Sequence, residues 1–106
     1  MIYQNKPLVV RLLFENFRSK PVYGVFRPQV YMEETGTYSS NLIFDIFKKE
    51  ILPKQKVVRE VLLESPAGFG EYLREGALFT VKEGLDIVGK AILLEVIGYL
   101  GESGPK

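Results

Sequence analysis

Short β-branched and aromatic runs set between Pro and Gly breaks predict an all-β chain, a small six-stranded antiparallel β-barrel. Three observations carry this expectation. Residues 51–97 hold three apolar runs divided by Leu52-Pro53, by Pro66, Gly68 and Gly70, and by Glu83-Gly84. Residues 57–64 alternate, with Val57, Arg59, Val61 and Leu63 on one face and Val58, Glu60, Leu62 and Glu64 on the other. Helical spacing competes with strand in one place only, residues 41–51. Closure into a barrel is favoured because it leaves no long exposed edge.

Residues 8–14 read as the first strand, rich in Val and Leu with Arg11 as the single charge. Residues 16–21 form a polar turn. A short aromatic segment, 21–26, is cut off by Arg27-Pro28, since Pro cannot donate to a ladder and belongs at a strand start or an edge. Val30-Tyr31-Met32 continues as strand, and 33–36 turns. Residues 37–44 are expected as strand, with a short helical turn or loop over 45–50; the competing helix would use Leu42, Ile43, Ile46, Phe47 and Glu50. After the Leu52-Pro53-Lys54-Gln55 turn comes the alternating strand 57–64, then a loop at 65–70. Residues 78–82 form a strand, Glu83-Gly84-Leu85-Asp86 a turn, and 87–97 a long strand interrupted by Gly89. The stretch 98–106, with three glycines and a proline, is expected to be a flexible tail.

A chain of 106 residues is expected to form one domain, residues 1–106, with a single core. Fourteen basic and 13 acidic residues leave a net charge of +1, without the basic excess of strong nucleic-acid binders. Cysteine and histidine are both absent, which removes disulfides, thiolate chemistry, the commonest general base and the commonest metal ligand. No apolar run approaches the ~20 residues that span a bilayer, and the first seven residues carry no signal-peptide pattern. The expectation is a cytoplasmic protein that binds neither membrane nor cofactor.

No constellation of catalytic type emerges. Glu60 and Glu64 share a face, but four residues along a strand separate them by roughly 13 Å, so they read as solvated charges. Ala67-Gly68-Phe69-Gly70 lacks the Lys-Ser/Thr of a phosphate loop and reads as a turn, with no nucleotide binding. The rings of Tyr23, Phe26, Tyr31, Tyr38, Phe44 and Phe47 suit core packing better than a stacking platform, because few cations lie near them.

Three blocks together resemble the C-terminal β-barrel domain, the third domain, of elongation factor Tu. The first is Val25-Phe26-Arg27-Pro28-Gln29-Val30-Tyr31 followed by Thr35-Gly36-Thr37. The second is Leu52-Pro53 leading through Val57 and Leu63 to Ser65-Pro66, where the family has a Met-Pro-Gly-Asp turn, a strand and a closing Pro. The third begins Glu75-Gly76-Ala77-Leu78-Phe79-Thr80-Val81-Lys82-Glu83-Gly84 and runs through Leu85-Asp86 to Val88-Gly89. The resemblance covers most of the chain and implies a free-standing translation-factor barrel without the GTPase. It further implies a non-catalytic domain that contacts tRNA or the translation apparatus, with Gln29, Thr35, Gly84 and Lys82 as the carried-over candidates. Ser65 replaces the family's basic residue, Lys54-Gln55 its early Gly-Asp, and Leu85-Asp86 its late Gly-Arg. Asp86 would repel a phosphate backbone. The alternative is a protein-interaction module that kept the barrel and lost the tRNA surface. Arg27 belongs to the candidate face under both readings, as a contact to phosphate or to a partner carboxylate; otherwise it staples the barrel mouth by bonding backbone carbonyls.

Overall fold

The computed structural model describes residues 3–22, 25–32, 39–45 and 50–101. Seven strands appear in them: β1 (Leu8–Asn16), β2 (Val25–Phe26), β3 (Gln29–Tyr31), β4 (Ser39–Asp45), β5 (Lys56–Leu63), β6 (Leu78–Glu83) and β7 (Asp86–Tyr99). All pairings between them are antiparallel. The sheet order is β2-β4-β3-β6-β7-β1-β5, and a further β4–β5 pairing closes six of the strands into a barrel.

The seventh strand does not break that count. β2 and β3 lie along the same side of β4, with Phe26 opposite Phe44 and Gln29 opposite Asn41. Arg27 and Pro28 interrupt what is otherwise one edge, because Pro28 has no N–H to give. Its carbonyl still accepts from the amide of Leu42 at 3.0 Å, which holds the two halves in line. Closure by β4 rests on Leu42, Ile43 and Phe44 facing Leu63, Leu62 and Val61.

Alternation along each strand decides what the barrel encloses. In β1, Leu8, Val10, Leu12, Phe14 and Asn16 are buried, while Val9, Arg11, Leu13 and Glu15 lie partly in solvent. Phe14, Phe26 and Phe44 form a ring cluster with centroids 5.1 to 6.1 Å apart, in edge-on and tilted contacts that suit aromatic quadrupoles. Core packing thus holds for Phe26 and Phe44; Tyr23, Tyr38 and Phe47 lie outside the described residues. Arg59 shares the inner face with Val57 and Val61, as its sequence position required. Its Nη1 donates to the Val58 carbonyl at 3.0 Å, and its buried Nη2 has no hydrogen-bond partner among the described residues.

Four boundaries differ from expectation. The 65–70 loop is instead a 3-10 helix, Pro66–Tyr72, kinked at Gly70 (φ 57°). Apolar attraction explains it: Phe69 swings fully into the core against Phe79, at a centroid distance of 5.6 Å. Among the described residues of the 21–26 segment, Val25–Phe26 is strand and Val22 makes an isolated bridge to Ile51. β7 continues through Gly89, which pairs opposite Asn16 and Val81, and the irregularity is a bulge at the preceding Val88, where the β6 register shifts. Glycine is needed at position 89 because a Cβ would lie 2.5 Å from the Glu15 carbonyl oxygen and 2.7 Å from the Phe14 ring. Finally, the expected tail is structured at its start. Tyr99 pairs with Leu8, and Leu100 donates to the Pro7 carbonyl at 2.9 Å. The expected turn over 33–36 and most of the 45–50 segment lie outside the described residues. No helix among the described residues is long and apolar enough to cross a membrane.

Candidate functional site

The ladder β4-β3-β6 builds a polar row on the barrel wall. Gln29 stands opposite Asn41 on one side and opposite Lys82 on the other. Directly opposed residues share a face at ~5 Å between Cβ atoms. The row therefore reads Asn41, Gln29, Lys82, and it extends to Glu64, whose amide donates to the Asn41 carbonyl at 3.0 Å. Arg27 lies just beyond Pro28 and reaches across to Glu64, Nη2 to Oε2 3.2 Å.

Two of the sequence candidates, Gln29 and Lys82, thus become direct neighbours, and Arg27 lies within the same patch. Tyr31 joins them. Its hydroxyl makes a long contact to Gln29 Oε1 at 3.4 Å, and Lys82 Nζ stands 5.0 Å from its ring centroid, a cation–π arrangement. Gly84 sits further along, at the tip of the β6–β7 hairpin. Glu83 pairs with Asp86, so the loop is the two residues Gly84 and Leu85. A positive φ of 61° at Gly84 alone fits a type II′ hairpin, which places glycine first. Its role there is backbone geometry, with Leu85 projecting 93% exposed beside it. Thr35 lies outside the described residues.

Arg27 does not bond backbone carbonyls among the described contacts; its partner is the Glu64 carboxylate, and both are well exposed. Glu83, adjacent to Lys82, pairs with Arg18 at 3.5 Å, and Arg18 in turn lies over the Phe26 ring at 5.9 Å. That contact clamps the end of β1 onto the hairpin. Each described cation of this face is therefore held by a carboxylate or a ring.

Asn16, at the start of the expected polar turn, organises the barrel end where β1 finishes. Fully buried, its Nδ2 is directed at the carbonyls of Lys20, Ile51 and Leu52 at 3.2 to 3.3 Å, while Oδ1 accepts from the Arg18 amide at 2.9 Å. The Leu52-Pro53-Lys54-Gln55 turn docks on it through the Lys54 amide at 2.8 Å. Only the residue type, an Asn closing an apolar strand, hinted at this; its partners come from distant turns.

Next to Tyr31, beyond its β6 partner Thr80, an open groove of about 600 Å³ runs beside Tyr72, Glu75, Leu78, Thr80, Lys90 and Ile92. None of the four described sequence candidates, Arg27, Gln29, Lys82 and Gly84, lines it. Among the described residues no cluster of three or more Asp or Glu side chains is arranged to hold a metal ion. The polar row can donate and accept hydrogen bonds through Gln29 and Asn41, and it offers a cation and a ring through Lys82 and Tyr31. Comparison with protein-family models gives no match, and comparison with curated proteins gives none. The resemblance to the elongation-factor barrel accordingly stands on the residues quoted above.

Proposed function

We propose that the chain is a non-catalytic binding module, a barrel similar to the third domain of elongation factor Tu, that engages a protein partner through Arg27, Gln29, Tyr31 and Lys82. The observation that carries this reading is the internal pairing of the face's cations: Arg27 with Glu64, Arg18 with Glu83, Lys82 over Tyr31. Phosphate binding gains its affinity from cations free to replace counterions. With Arg27 and Arg18 committed to carboxylates and Lys82 set over a ring, the surface is mixed and hydrogen-bonding with only a small net charge, which suits the polar rim and amide contacts of a protein interface.

Contact with tRNA is the second reading, favoured by one feature: Gln29 beside Tyr31 and Lys82 offers an amide, a ring and a cation together, the elements that hold an unstacked base. Titration of the chain with labelled tRNA at increasing salt separates the two. The protein-binding reading predicts no saturable complex at physiological salt. Saturable binding whose logarithm falls with log salt at ~0.7 to 0.9 per phosphate contacted would replace it with RNA recognition.

A further inference from the structure

The outer face of β5, β1 and β7 carries a pattern that the candidate site does not use. Val58, Leu13 and Ile92 stand directly opposite one another across the three strands, and Leu78 of β6 continues the row beyond Ile92. All four point away from the core; Val58 is 50% and Leu78 64% exposed. Two charged rows flank them. On one side lie Lys56, Glu15 and Lys90, paired in register across the same strands. On the other lie Glu60, Arg11 and Glu95, where Arg11 donates to both carboxylates. The order is plus, minus, plus on one side and minus, plus, minus on the other.

Two residues along a strand are ~6.6 Å, so on β1 and β5 the charged rows are ~13 Å apart with the apolar row midway between them. On β7 a bulge at Leu94 puts three positions between Ile92 and Glu95 and still leaves Glu95 opposite Arg11. A two-fold axis lying along the apolar row turns each flanking row onto the other, strand by strand. Lys56 then meets Glu60 of a second copy, Glu15 meets Arg11, and Lys90 meets Glu95. All three meetings are attractive, and each is made twice. Val58, Leu13 and Ile92 lie on the axis and meet their own counterparts. A self-complementary patch of this kind is what an isologous dimer requires.

We propose that this face joins two copies of the chain about a two-fold axis that follows Val58, Leu13 and Ile92. The contact adjoins the Arg27–Lys82 face without sharing a residue with it: Thr80 of β6 stands between Lys90 and Tyr31. Two flanking rows of the same order would put like charges together, and such juxtaposition is strongly unfavourable.

Sedimentation equilibrium of the intact chain tests the association, and a cysteine tests the face. Because the chain has no native cysteine, Val58→Cys can form only an intermolecular disulfide. With oxidised glutathione, Val58→Cys is expected to give covalent dimer, and the still more exposed control Leu85→Cys monomer. Glu60→Lys should weaken association at least about tenfold. Lys56→Glu added to Glu60→Lys should restore it, since the local cost of a lysine beside Arg11 is common to both variants. A parent chain that stays monomeric across the micromolar to millimolar range overturns the proposal. So does a dimer in which Val58→Cys does not cross-link, or one that Lys56→Glu fails to rescue.

Discussion

Gly89→Ala is expected to be among the most damaging single-methyl changes available in this barrel. The added Cβ would sit 2.5 Å from the Glu15 carbonyl oxygen and 2.7 and 2.9 Å from two atoms of the Phe14 ring. Contacts below 3.0 Å are not tolerated, so something must move by several tenths of an ångström. Neither neighbour yields easily: the oxygen belongs to the β1 backbone, and Phe14 is fully buried against Phe26 and Phe44. Overpacking of this kind costs about 1–3 kcal/mol. Displacing β1 from β7 would also weaken one or two ladder hydrogen bonds at about 1 kcal/mol each. The reduced freedom of the unfolded chain returns about 0.4–1 kcal/mol. The net loss is about 2–3 kcal/mol, which in a domain of this size lowers Tm by roughly 10–20 °C. Gly84→Ala is the internal control. Nothing lies within 4 Å of its Cβ, and only the positive φ opposes it, for a cost of about 1–2 kcal/mol. Urea unfolding followed by circular dichroism reads both. A Gly89→Ala protein within about 0.5 kcal/mol of the parent, or one less affected than Gly84→Ala, would refute the close-approach argument.

Asn16→Asp replaces a donor with an acceptor that faces the three carbonyl oxygens of Lys20, Ile51 and Leu52. The introduced carboxyl must have its pKa raised above the ordinary ~3.9 in the folded state. Its charged form is then penalised by about 3 kcal/mol or more. The penalty is absent at low pH, grows as pH rises above ~4, and levels off above the raised folded pKa; unfolding free energies at pH 3 and pH 7 relative to the parent check it. Lys54 is a non-glycine residue at φ 65°, in the turn where the resembled family carries glycine. Lys54→Gly should therefore stabilise the chain by about 0.5–1 kcal/mol despite losing the Lys54 contact to the Phe17 carbonyl at 3.3 Å; a lower urea midpoint would contradict this. Simultaneous removal of Arg27 and Lys82 by alanine should leave stability within about 1 kcal/mol of the parent, because their pairings are exposed. A larger loss in thermal denaturation would make this face structural.

How much of this was legible in the chain depends on distance in sequence. The inward set of β5 follows from two-residue periodicity alone, down to the inward Arg59, because burial on one face imposes that period. The break at Arg27-Pro28 and the glycine at the hairpin tip are written into single residue types with single conformational properties. Phe69 was less legible. Gly68, Gly70 and Pro66 announced a loop, but burial of one phenyl ring against Phe79 overrode the local signal and wound it into a 3-10 helix. Along the chain Gly89 looks like a breaker, because the neighbour that requires it, Phe14, lies 75 positions away. At the candidate face, the proximity of Gln29 and Lys82 required the β3–β6 register, and the Arg27–Glu64 pair required barrel closure through β4 and β5. Neither follows from spacing along the chain. Glu64, set aside as a solvated carboxylate, turned out to be the partner of the residue singled out as the leading cation.

The central claim is that the Arg27–Lys82 face binds a protein. The most direct measurement places a photo-crosslinking residue at Gln29, at the middle of the row, and irradiates the chain in lysate with and without RNase. The account predicts one protein adduct that survives RNase and is lost when Arg27→Ala and Lys82→Ala are added. An adduct that disappears with RNase, or one unaffected by the two alanines, would contradict it.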